Sequence, residues 1–195
     1  MKNVSSSISA FVVSVLLPSM TFAATGTVRF TGTYVDKSCS VETGDLKQKI
    51  NMGDVAFTNM PSVSGASFVT QGVRKITLEV FCASRGSFRT IVMTFKATTG
   101  GTGVDPNDRR LLKVTGTGGG NAAKGGAIAI VAVNEGNRII NLGSTFDNTI
   151  VGNLKSVGGG AGYGTVEVGA AYVLNGQAIK AGVANSSLPF EISYE

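Results

Sequence analysis

The sequence contains no histidine and no tryptophan, only four prolines, and no apolar run long enough to cross a bilayer as a helix. Without histidine there is no imidazole for a Ser-His-Asp triad, for activating a cysteine nucleophile or for ligating a metal. The two cysteines, Cys39 and Cys82, cannot by themselves complete a tetrahedral zinc site. The glycine clusters do not fit phosphate loops. Gly118 to Gly125 lacks the Gly-Lys-Ser/Thr order, and Tyr163 stands where a dinucleotide loop starting at Gly158 needs glycine. Asp105 and Asp108 lie in Asp-Pro-Asn-Asp, which has too few ligands for a calcium loop and reads as a solvated turn. No carboxylate pair is singled out for hydrolysis. The expectation is a protein that is not an enzyme and takes no cofactor or metal.

Charge is also scarce: 17 Lys and Arg against 12 Asp and Glu give a formal +5, with only Arg74-Lys75 and Arg109-Arg110 adjacent. Scattered positive charge of this kind is solubilising, and no nucleic-acid partner is expected.

What is present begins with an export signal. Lys2 supplies a charge, Ala10 to Leu17 an apolar core, and Thr21-Phe22-Ala23 a cleavage site, so residues 1–23 read as a secretory signal cut after Ala23. The remainder is one domain's worth of chain. In an exported protein an even cysteine count predicts a disulfide, here Cys39–Cys82.

Glycine is abundant at 27 residues, and Thr, Val, Ile and Phe recur in bursts between glycine clusters, a texture of short strands and turns. Residues 26–35 alternate with period two, setting Val28, Phe30, Gly32 and Tyr34 on one face. Further strands are expected from Cys39 to near Glu42 and at 49–52, 67–69, 75–82, 90–96, 111–114, 138–142 and 165–174. Ala127 to Val133 is almost wholly apolar, as in a strand buried on both faces. Residues 98–110, 115–126 and 158–164 read as loops. No helical periodicity is sustained, and eight to ten strands suit a sandwich.

Leu188, Phe190, Ile192 and Tyr194 share a face at the C-terminal end, and Pro189 suggests an edge near that strand's start. Both ends of the mature chain are therefore patterned strands that need partners. They could pair with each other inside one molecule, or each could pair with another chain.

Together these segments resemble the pilin subunits of bacterial chaperone–usher fimbriae, the type 1-like group. The matching residues are Gly26-Thr-Val-Arg-Phe-Thr-Gly32 ahead of Cys39-Ser-Val41, then Ile76 to Cys82, Gly126 to Ile130, Ile140 to Gly143, Ala181-Gly182 and Phe190 to Glu195. Tyr194 is penultimate and Gly182 fourteenth from the end, as in that family.

The resemblance implies an all-β, incomplete immunoglobulin-like β-sandwich completed by a donor strand from another subunit. Residues 24–36 would be the donor extension and 37–195 the pilin domain. Val28, Phe30, Gly32 and Tyr34 would form the donor face, Gly32 being the small residue that allows close approach. Gly182, Phe190, Ile192, Tyr194 and Glu195 would belong to the acceptor groove and chaperone-binding strand, with the Glu195 carboxylate meeting basic residues of the chaperone. Neighbouring pilins, a periplasmic chaperone and an outer-membrane usher would be the partners, and the cell surface the destination. The alternative is a self-contained secreted β-sandwich that binds a carbohydrate or protein ligand through its loops.

Overall fold

The computed structural model describes residues 23–34, 39–41, 47–117 and 121–195. Residues 1–22 of the expected signal, and Gly118–Gly120, lie outside them. The described residues form ten strands: β1 (Ala23–Tyr34), β2 (Cys39–Val41), β3 (Lys49–Ala56), β4 (Arg74–Cys82), β5 (Thr90–Phe95), β6 (Gly126–Ala132), β7 (Arg138–Ile139), β8 (Thr149–Gly158), β9 (Ala161–Leu174) and β10 (Ser186–Tyr194). They lie in the order β2-β4-β9-β8-β5-β10-β1-β3, with β6 and β7 branching from β9.

The sheet curls on itself. β8 pairs with β5 through Thr149–Asn153 and with β9 from Leu154 onward, so one strand serves both halves. Strands that change partners in this way make the corners of folded sheets. The inward residues then meet in one core: Val28, Phe30, Ile50 and Met52 from one half, Leu78, Val80, Ile128, Ile130, Val166 and Val168 from the other.

β6 is buried on both faces, as its unbroken apolar sequence demands. Ile128 and Ile130 point into the main core. Ala127, Ala129 and Val131 face a second cluster, roofed by Val63, Val69 and Leu111. That roof is an irregular crossing, so its carbonyls need side-chain donors. Arg110 supplies them, donating to Ala66 O at 2.7 Å and Val63 O at 2.8 Å. Asp108 in turn holds Arg110 at 2.6 Å. This hydrogen bond from Arg110 keeps the Asp108 carboxyl below its ordinary pKa.

Several expectations change. Asp105 is not solvated: it is 4% exposed, and its carboxylate accepts from the Asn107 and Asp108 amides and from Asn175 Nδ2. The backbone amides of its own turn replace water. Residues 67–69 and 111–114 make isolated bridges, Phe68 to Arg138 and Leu112 to Val104 and Ile128, because neither has a long enough neighbour to build a ladder. The glycine-rich 158–164 segment is a tight hairpin whose turn is Gly159-Gly160, both at positive φ. β8 was not expected as a strand. Its inward residues, Ile150, Gly152 and Leu154, do alternate, but a glycine in the middle erases the apolar signal.

Candidate functional site

Cys39 and Cys82 face each other in the β2–β4 register and form a disulfide. The oxidising environment this requires agrees with export.

The other residues singled out in the sequence converge on one seam. β1 runs parallel to β10, with Val28 opposite Ser186, Phe30 opposite Leu188, Gly32 opposite Phe190 and Tyr34 opposite Ile192. Of the two arrangements open at the residue level, the structure shows the two terminal strands paired within the chain. β10 is consequently not an edge. It lies between β1 and β5, and Pro189 is accommodated because the β5 ladder begins one residue later, at Phe190.

The other side of β1 pairs antiparallel with β3 from Ala23–Ala56 to Arg29–Lys49, with a register shift at Gly26/Thr27. That second wall was not read from the sequence, although Ile50 and Met52 alternate as an inward face should.

Val28 and Phe30 are fully buried, as are Leu188 and Ile192, and Phe190 nearly so. The Phe30 ring meets Phe95 at 6.4 Å between centroids. Full burial of Val28 and Phe30 stabilises the seat by about 1.5–3 kcal/mol each. Asn185 pins the entry, its Oδ1 accepting from Thr27 N at 3.1 Å and Thr27 Oγ1 at 3.0 Å.

Gly32 lies under the Phe190 ring, and a Cβ there would overlap ring carbons. Gly32→Val is therefore expected to displace either Phe190 or β1 and to destabilise by about 1–3 kcal/mol, the cost of overpacking a filled core. Urea unfolding monitored by far-UV circular dichroism measures it, and a midpoint unchanged from wild type would refute the contact.

Gly182 lies ahead of β10 and outside the seam, close against the backbone of Asn121–Ala123. Tyr194 is buried at the far end of β10, its ring 6.1 Å from that of Phe88. Glu195 is exposed. Its main-chain oxygen accepts from the Arg89 and Thr90 amides at 2.5 Å and 2.8 Å, which ties the end of β10 to the start of β5. The structure thus gathers Val28, Phe30 and Gly32 with Phe190 and Ile192, and sets Gly182 and Glu195 apart from them.

No protein-family model matches the chain, and no curated protein matches it. Among solved structures it is similar to the CupB6 tip adhesin from Pseudomonas aeruginosa, at 17% identity and a TM-score of 0.43. The match covers 88% of this chain and 41% of that one, so the chain spans less than half the length of the adhesin.

The seam has a weak point on its outer face. Arg29 and Lys49 are directly opposite across the β1–β3 ladder, both exposed. Like charges so placed are destabilising by a few tenths of a kcal/mol to about 1 kcal/mol. The parallel pairing of β1 with β10 is also slightly less stable per residue than an antiparallel one.

Proposed function

We propose that this chain is a structural subunit of a bacterial surface fimbria supporting cell adhesion, and that β1 is its exchangeable strand. At rest β1 occupies the seam of its own chain. On assembly it enters the seam of a neighbouring subunit, identical or different, and the vacated seam accepts a neighbour's strand. Without β1 the domain is then an incomplete immunoglobulin-like sandwich. A periplasmic chaperone would cover the open seam in transit, and an outer-membrane usher would order the exchange.

One observation carries this reading. The strand with the donor pattern sits in a seam formed by β10 and β3, parallel to β10, antiparallel to β3 and with a like-charge pair at Arg29–Lys49. A strand from another copy is free of the short connection between Tyr34 and Cys39 and can enter antiparallel to β10. It would keep the burial of Val28 and Phe30, exchange the parallel and antiparallel ladders between β10 and β3, and relieve the Arg29–Lys49 opposition. The sequence resemblance to chaperone–usher pilins supports the same assignment.

A second reading rests on the same pairing. A sheet whose seam is filled within one chain is also what a self-contained secreted sandwich would show. A labelled peptide of residues 24–36, mixed with the full chain, separates the two. Strand exchange predicts slow uptake to a 1:1 complex, visible by native mass spectrometry, with no uptake of the same peptide carrying Phe30→Asp. A chain that stays monomeric and excludes the native peptide even near its melting temperature would leave the self-contained reading standing.

A further inference from the structure

The outward face of β8 and β9 carries a hollow that does not involve the β1 seam. It forms where β8 changes partner. Gly152 and Gly164 stand at that change in phase with the inward residues, and only their backbone reaches the hollow. That backbone forms the floor, and the hollow above it measures about 250 Å3. Its walls are Tyr163, Asn134, Asn153, Lys155, Thr165 and Glu167. That is smaller than the ~300–1,000 Å3 of pockets for drug-sized ligands, and suits a single ring.

The wall chemistry is specific. Tyr163 is 38% exposed, with Glu79 near its hydroxyl. An aromatic surface is thus open to solvent at the hollow. Asn134 donates its amide to Val151 O at 3.2 Å, which leaves its side-chain carbonyl to accept. Glu167 uses Oε1 for Lys75 at 2.9 Å, leaving its second oxygen. Asn153 and Lys155 supply donors from β8, and Thr165 a hydroxyl from β9. The two charges on its walls, Lys155 and Glu167, are of opposite sign, so the lining itself favours neither an anion nor a cation.

An open aromatic face ringed by groups that both donate and accept, at zero net charge, matches the two-sided character of a sugar ring. Such a ring offers a C–H face for stacking and hydroxyls that donate and accept together. We propose that this hollow binds one neutral pyranose residue of a glycan, stacked on Tyr163 and hydrogen-bonded by Asn134, Asn153 and Glu167. The site is independent of the strand-exchange reading, since β8 and β9 take no part in the β1 seam.

The test is ligand-observed saturation-transfer NMR on the full chain. The probes are the methyl pyranosides of mannose, galactose, glucose and N-acetylglucosamine. At least one is expected to bind, with a dissociation constant on the order of 1 mM as befits so few contacting atoms. Tyr163→Ala should weaken it by about tenfold or more while the chain still melts in one cooperative transition, because the ring lies on the outer face of the sheet and outside the core. Tyr163→Phe, which keeps the stacking face, should retain most of the affinity. Silence from all four probes, or binding unaffected by Tyr163→Ala, overturns the site. A Tyr163→Ala chain that binds no sugar in either form but changes its sedimentation would assign the face to contact between copies and also overturn it.

Discussion

A chain carrying Phe30→Asp will not hold β1 in its seam. Phe30 is fully buried against Phe95, opposite Leu188, at the centre of the β1–β10 pairing. Removing a buried phenylalanine side chain costs about 3–5 kcal/mol, and a carboxylate in its place adds several kcal/mol more unless it is protonated. Together these rival the whole stability of a typical domain, about 5–15 kcal/mol. Opening the seam is cheaper than burying the charge, so the strand leaves while the β4–β9–β6 half stays folded. Amide hydrogen exchange should then lose protection in β1, β3 and β10 and keep it in β4, β6 and β9. The exposed Leu188, Phe190 and Ile192 should make the variant aggregate. Adding the native 24–36 peptide should restore protection in β10 and solubility, because the defect lies in the strand and not in the seam. Full protection of β1 in the variant would overturn the energetic role given to Phe30. Aggregation that the peptide does not relieve would show that the seam cannot accept a strand from outside.

The second large effect concerns the disulfide. Cys39→Ser should lower stability by about 4 kcal/mol, the chain-entropy value for closing a loop of 43 residues. For a domain of this size that is a fall in melting temperature of about 10 °C. The local setting points the same way. β2 is three residues long, pairs only with β4 among the described strands, and follows directly on the connection from β1. A strand so short depends on its cross-link for its place. Differential scanning calorimetry of Cys39→Ser, of Cys82→Ser and of the double variant measures the loss. The three should fall together, since any one of them removes the same bond. A drop of less than about 1 kcal/mol would mean that β2 is held by the Val41 contacts alone.

The seam and the hollow differ in how far they could be seen in advance. The inward face of β1 and that of β10 were plain in the sequence, because period-two alternation over seven or more residues is a strong local signal and both segments are uninterrupted. The double burial of β6 was equally plain from its unbroken apolar run. β8 was obscured by Gly152, and the hairpin after it by the glycines that make its turn possible. The hollow on β8 and β9 was out of reach for the same reason. Its floor is two glycines, and its walls are ordinary polar residues drawn from residues 134, 153–155 and 163–167, brought together only by the curl of the sheet. Asp105 looked like a surface turn because Asp-Pro-Asn-Asp carries turn chemistry either way, and burial depends on the roof that Arg110 clamps above β6.

The sequence by itself determined that the described chain is built of strands, which residues of β1 and β10 face inward, and that Cys39 and Cys82 are the available disulfide. These follow from local alternation, residue type and the count of thiols. Only the tertiary structure decided that β1 lies between β10 and β3, parallel to β10 and within its own chain. The alternation of a strand specifies a buried face and leaves the partner and its direction open, because the backbone donors and acceptors along a strand edge are the same whatever strand lies beside them.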